Sequence, residues 1–180
     1  MIAIESIIRI GMAAMGGLHR WGYHPTGVCA HFSDAVEAGR PLGLNVKELA
    51  SAQAFAGSTA AANMEFVEEG GGNKRLHPGW GGAAGIAATY LAKNKFVRPT
   101  CPYEGGFGLY KIHLHDDEEH VDYECLIAGL GDVWECFATA IKPFPSCHFT
   151  HALVDSALEL KRSRSIGLEN IEKYQFKCQK

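Results

Sequence analysis

Two stretches of this chain consist almost wholly of small side chains: VKELASAQAFAGSTAAA at 46–62 and GWGGAAGIAATYLA at 79–92. Helices with so little side-chain volume cannot fill a core by themselves. They reach native packing density only when neighbouring backbones approach closely on more than one side. That constraint selects a body of helices packed on helices, with the 46–62 helix at its centre. The rest of the first three quarters of the chain supplies the neighbours. Ile4, Ile7, Ile8 and Met12 recur near helical spacing, and Gly16-Gly17 ends their run. Pro25 and Thr26 mark the start of a helix that stops at Gly39 and Pro41. Asn45 with Glu48 three residues on has the pattern of a capping box, and Pro78 stands at a first-turn position of the following helix.

Beyond residue 96 the character changes. VRPTCPYEGGFGLYKI reads as a loop, and HDDEEHVDYECLIAGLG as a solvated segment followed by a short helix. WECFATAIKPFP is an extended apolar run closed by prolines, which suits a strand or a connection. HALVDSALELKR is a final helix, and ENIEKYQFKCQ alternates as a half-buried strand does. One strand cannot stand alone. The expected fold is therefore mainly α: part of a helical domain over 1–136, then the beginning of a small α/β lid domain over 137–180.

Charge narrows the function. The formal net charge is −3, so no global field draws the chain to nucleic acid or to an acidic membrane, and any anion site must be local. No apolar run is long enough to span a membrane. Glu5 and Arg9 interrupt the first apolar segment, which is unlike a signal peptide. The six cysteines, Cys29, Cys101, Cys125, Cys136, Cys147 and Cys178, are scattered without a C-x-x-C pair. They read as reduced thiols of a cytoplasmic protein with neither disulfide framework nor metal cluster.

The local anion site has a candidate. GGGNKRLHPGW at 70–80 sets two adjacent cations and an imidazole beside a glycine hinge. GYHPTG at 22–27 puts His24 just before a helix start, where the dipole and free N–H groups favour anions. With EGGFGLY at 104–110 and IKPFPSCHFTHALVDSALEL at 141–160, these motifs stand in order and cover nearly the whole chain. In that order and spacing the chain resembles the MmgE/PrpD family, which includes 2-methylcitrate dehydratases and cis-aconitate decarboxylases. Set against that family, the chain looks like the middle of a longer protein.

The resemblance implies lyase chemistry on small polycarboxylates, run by side-chain acids and bases in a homodimer, with no cofactor and no metal. It places His24, His77 and His151 among the catalytic groups, and Lys74, Lys142 and Arg75 around the substrate. All but Arg75 are expected to converge on one cleft between helical body and lid. Cys147 departs from the pattern, standing where cis-aconitate decarboxylases carry histidine. From the residues alone, His77 can equally be a structural histidine, Arg75 can point to solvent, Thr26 serves as a cap, and Cys147 reads as a packed thiol. HLHDDEEH at 113–120 matches no zinc spacing and reads as a solvated acidic loop, and EGGGNKR lacks the phosphate-loop spacing. Two alternatives stay open: a silent, truncated paralogue or dimerisation module, and a metal-dependent hydrolase using the His-rich loop. Because the small-residue helices call for cover on more than one side, the chain alone is expected to self-associate.

Overall fold

The computed structural model describes residues 1–164, which form eight α-helices: α1 (Ile2–Ala13), α2 (Gly17–Arg20), α3 (Pro25–Gly39), α4 (Val46–Gly57), α5 (Phe66–Glu69), α6 (Asn73–Lys93), α7 (Leu109–Leu114) and α8 (His151–Arg164). No strand occurs among the described residues, and the 170–178 segment read as a strand lies outside them. The chain divides into two compact units, Met1–Ala138 with α1 to α7, and Thr139 onward with α8. The mainly helical expectation holds.

In the first unit α3 is the element packed on three sides, against α1, α4 and α6. It buries Val28, Cys29, Phe32 and Ala35. The 46–62 stretch is thus not the central helix: α4 ends at Gly57 and buries Ala52, Ala54 and Ala56. Its N-terminus forms as its residues dictate. The Glu48 N–H donates to Asn45 Oδ1 at 3.1 Å, and the Asn45 N–H to Glu48 Oε2 at 2.9 Å. These bonds satisfy two of the orphan donors of the first turn.

The small residues of α6 work as expected. Gly81, Gly85, Ala88, Thr89 and Ala92 are buried. A Cβ added at Gly85 would lie 2.7 Å from the Ala35 nitrogen and 2.7 Å from the Asp34 carbonyl carbon, so α3 and α6 meet backbone to backbone. Thr89 Oγ1 donates to the Gly85 carbonyl of its own helix at 2.7 Å and lies 3.4 Å from the Ala35 carbonyl of α3, a contact across that crossing. The helix itself starts earlier than Pro78 implied. Asn73 opens it, and Pro78 lies inside, with no N–H to offer the Lys74 carbonyl.

Helix α1 differs most from the sequence reading. Its buried face is Glu5, Arg9, Ile10 and Ala13, while Ile4 and Met12 are exposed. Arg9 Nε donates to Glu5 Oε1 at 2.6 Å. Its Nη1 donates to the carbonyls of Cys125 (3.0 Å) and Ala128 (2.8 Å), and its Nη2 to that of Val133 (2.9 Å). Glu5 in turn accepts the N–H groups of Glu135 (3.2 Å) and Cys136 (3.0 Å). Burial alone would raise the Glu5 carboxyl, but Arg9 and those two N–H groups hold it below its ordinary 4.5. The segment so gripped contains only the 3-10 turns Glu124–Leu126 and Glu135–Ala138, so its carbonyls have few regular partners. The WECFATAIKPFP run is correspondingly a short turn and a connection, not a strand. LYKI, read as the end of a loop, instead opens α7, whose Tyr110 hydroxyl donates to the Ile10 carbonyl at 3.0 Å.

Arg9→Met leaves the Glu5 carboxylate buried without its partner, and is expected to cost about 3–5 kcal/mol in denaturant unfolding. The double change Glu5→Leu with Arg9→Met should cost less than the single one. Gly85→Val, forced against backbone rather than a yielding side chain, should cost at least about 1–3 kcal/mol. Wild-type midpoints in these variants would contradict both accounts.

Candidate functional site

His24 is the N-cap of α3, and Pro25 occupies its first turn. The chain around it is stitched to a second segment. The His24 N–H donates to the Ala62 carbonyl at 2.8 Å, and the Met64 N–H to the Gly22 carbonyl at 2.9 Å. Tyr23 and Asn63 form an antiparallel bridge between those bonds. Gly27 explains why the first turn of α3 can come so close to α6. A Cβ there would sit 2.5 Å from that of Ala62 and 2.8 Å from that of His77.

The result is an imidazole pair. His24 Nδ1 lies 3.1 Å from His77 Nδ1, with ring centroids 5.3 Å apart. Phe66, which opens α5, packs edge-on against His24 at 5.6 Å and against His77 at 5.7 Å. Both imidazoles are half-buried. Burial first, then the charges of His77, Lys74 and His19, push the His24 pKa below its ordinary 6.5. His24 is therefore neutral at physiological pH, with a lone pair available. A hydrogen bond between two Nδ1 atoms needs one donor and one acceptor, so the two rings cannot both be imidazolium without losing it.

Lys74 and Arg75 lie in the first turn of α6 and are exposed. That turn carries no acidic residue and no side-chain cap. Cations at the positive end of a helix are unfavourable by about 0.3–1 kcal/mol each. An anion placed there would reverse the sign. The structure thus brings His24 and His77 into contact, with the charge of Lys74 within reach of His24. Thr26 is exposed at the start of α3.

The second unit holds the other residues, and it is described by itself. Lys142 Nζ donates to the Ser146 carbonyl at 3.2 Å. His151 opens α8 and is buried, its ring stacked on His148 at 4.8 Å and met edge-on by Phe144 at 5.2 Å. Its Nε2 is buried without a hydrogen-bond partner among the described residues. Cys147 is exposed and precedes the 3-10 turn His148–Thr150.

The His-rich stretch is engaged elsewhere. Asp117 accepts from Arg20 and Trp21, and Lys111 pairs with Glu118. His113 is buried with Nδ1 2.8 Å from the Leu109 carbonyl. Among the described residues no group of three or more His, Cys, Asp or Glu is placed to hold a metal ion, and no helix is long and apolar enough to cross a membrane. The sequence reading missed Phe66, which belongs to no motif. It also took Glu5 and Arg9 only as breaks in an apolar run, although their i,i+4 spacing inside such a run was the signal of a buried pair.

A family model, the MmgE/PrpD N-terminal domain, matches residues 1–122. The chain is 28% identical over 166 residues to the cis-aconitate decarboxylase of Aspergillus terreus strain NIH 2624 / FGSC A1156, covering 90% of this chain and 34% of that protein. A second cis-aconitate decarboxylase of Aspergillus terreus is 27% identical over 165 residues, covering 89% and 34%. The chain spans about a third of the length of these curated relatives.

Because the folded site resists protonation of His24, the unfolded chain takes up that proton more readily. Stability is expected to fall as pH drops below the ordinary 6.5 and to level off below the folded midpoint. Buried His31, also pushed low by burial, adds to the same trend. Denaturation at about pH 7.5 and about pH 5.5 should therefore separate wild type from His24→Gln, the variant losing less on acidification. Lys74→Met should move the His24 midpoint, followed by NMR, upward.

Proposed function

The chain belongs to the MmgE/PrpD family, and from that premise we propose that it carries the acid–base centre of a lyase acting on small polycarboxylates such as cis-aconitate, citrate or 2-methylcitrate. The observation that carries the reading is the neutral His24 imidazole, paired with His77 at the uncapped, cationic start of α6. Substrate carboxylates sit against Lys74 and Arg75 at the N-terminal turn of α6, which lowers the cost of the local positive charge. For elimination of water, the lone pair of the imidazole pair takes the proton from the carbon beside a carboxylate. The electron pair left behind spreads into that carboxylate, facing Lys74. It then returns to form the double bond as the hydroxyl leaves with a proton from the imidazolium. For loss of carbon dioxide, the carbon–carbon bond breaks first, its electron pair stays on the substrate, and that carbon takes an N–H proton from the imidazole pair, which regains it from water.

Lys142 and His151 enter this reading through their motif, as a binding and a proton-transfer residue. A homodimer is the assembly it carries, since Leu76, Trp80, Ile86, Tyr90 and Leu91 leave exposed apolar surface on α6. Cys147, in place of the histidine that the resemblance leads one to expect, favours a second reading, a family member that binds polycarboxylates without turning them over.

Assays of the three acids, for carbon dioxide release and for the double bond, decide between the two. His24→Gln is expected to lower kcat by about 10²-fold or more, as loss of a general base does. Lys74→Met should lower kcat as well as raise KM, since Lys74 faces both the bound carboxylate and the charge that develops on it. Lys142→Met and His151→Gln should both reduce turnover. Citrate binding by calorimetry without turnover of any acid would select the silent member. Absence of binding as well would remove the polycarboxylate reading.

A further inference from the structure

We propose that Phe66 is a positioning residue: its ring fixes the orientation of both imidazoles, so that His24 and His77 share one proton between their Nδ1 atoms. The inference rests on the acid–base reading of this pair. Backbone contacts place the two Cβ atoms, through the His24–Ala62 hydrogen bond and the close approach at Gly27. They do not set the ring rotation. The Cβ–Cγ torsion of histidine is broad, so a 3.1 Å nitrogen–nitrogen contact persists only if packing restricts both rings.

Phe66 provides that packing. It stands at 74° to the His24 ring and 70° to the His77 ring, an edge-on geometry that aromatic rings favour. Phe66 is itself held by the frame that holds His24. The bridge at Asn63 and the Met64–Gly22 bond fix the chain just before it. The N–H groups of Gly70 (2.9 Å) and Gly71 (3.1 Å) close on its carbonyl. Three rings with centroid separations of 5.3, 5.6 and 5.7 Å thus form one triangle.

The shared proton has a spectroscopic signature. When both rings are neutral, one must carry hydrogen on Nδ1, the tautomer that free histidine disfavours, while the other has a bare Nδ1 and carries hydrogen on Nε2. The charged and titratable groups facing His24 are Lys74 and His77 from α6 and His19 from α2. The α5 carboxylates Glu68 and Glu69 are exposed.

The test is nitrogen NMR of the labelled chain above the pH at which the pair titrates, with His24→Gln and His77→Gln used for assignment. Wild type should show one Nδ1–H ring of the pair. Phe66→Leu, checked by circular dichroism to be folded, should show both rings as the Nε2–H form, and Phe66→Tyr should restore the wild-type pattern. With a polycarboxylate that wild type turns over, Phe66→Leu should lower kcat about tenfold and leave KM within about twofold. Should Phe66→Leu not fold, Phe66→Met is measured in its place. A folded variant that keeps the Nδ1–H ring overturns the proposal, and unchanged kcat with the signature lost overturns its catalytic consequence. Loss of the signature in a chain that turns over no polycarboxylate upholds the positioning role and removes the lyase reading instead.

Discussion

The Glu5–Arg9 pair is the contact on which the rest of the first unit depends. Two charges sit in the interior, each 3% exposed, and each is satisfied by backbone that nothing else would hold. Taking an arginine and a carboxylate out of water costs several kcal/mol per ion, so the pair is favourable only because its hydrogen bonds are nearly complete. It makes five bonds to the 125–136 segment in addition to the internal one. A stretch built of short 3-10 turns cannot satisfy its own carbonyls and N–H groups in a core. The charged side chains of α1 do it for that stretch, and so fasten the end of the first unit to its beginning.

The other half of the unit is held without charge. α3 and α6 cross with glycine and alanine at the contact, so dispersion between backbones takes the place of large interlocking side chains. The same economy of volume recurs at the site, where Gly27 lets the first turn of α3 lie against His77. Two helix N-termini are thereby drawn together, and each brings an imidazole. The consequence is electrostatic: partial burial and neighbouring positive charge keep His24 neutral, while the turn beside it carries Lys74 and Arg75 with no acidic residue and no side-chain cap.

Much of this was legible in the sequence for identifiable reasons. The capping box at Asn45 and Glu48 and the proline start of α3 are local rules, and both held. His24 and His77 were found through motifs, and the structure puts them in contact. Long-range effects were not legible. The apolar period of α1 pointed to Ile4 and Met12, but the backbone of a segment more than a hundred residues away needed Arg9 inside, and that need set the buried face. Pro78 marked a helix start by its usual preference, yet the helix had already begun at Asn73. Phe66 carries no chemistry of its own and so leaves no trace in a motif. Its position follows from the bridge between Tyr23 and Asn63, a pairing with no sequence signature.

The backbone contact at Gly85 also acts as an alignment pin. Eight residues along α6 separate it from His77, about 12 Å at the helical rise. Were α6 to slide or tilt at the pin to admit a side chain, its far end would move as the long arm of a lever, and His77 would leave its partner. On the lyase reading proposed above, a variant at Gly85 would look like a loss of catalysis in a screen for activity, although the residue touches neither imidazole. Distance from the imidazole pair is therefore a poor guide to which positions on this helix control its geometry.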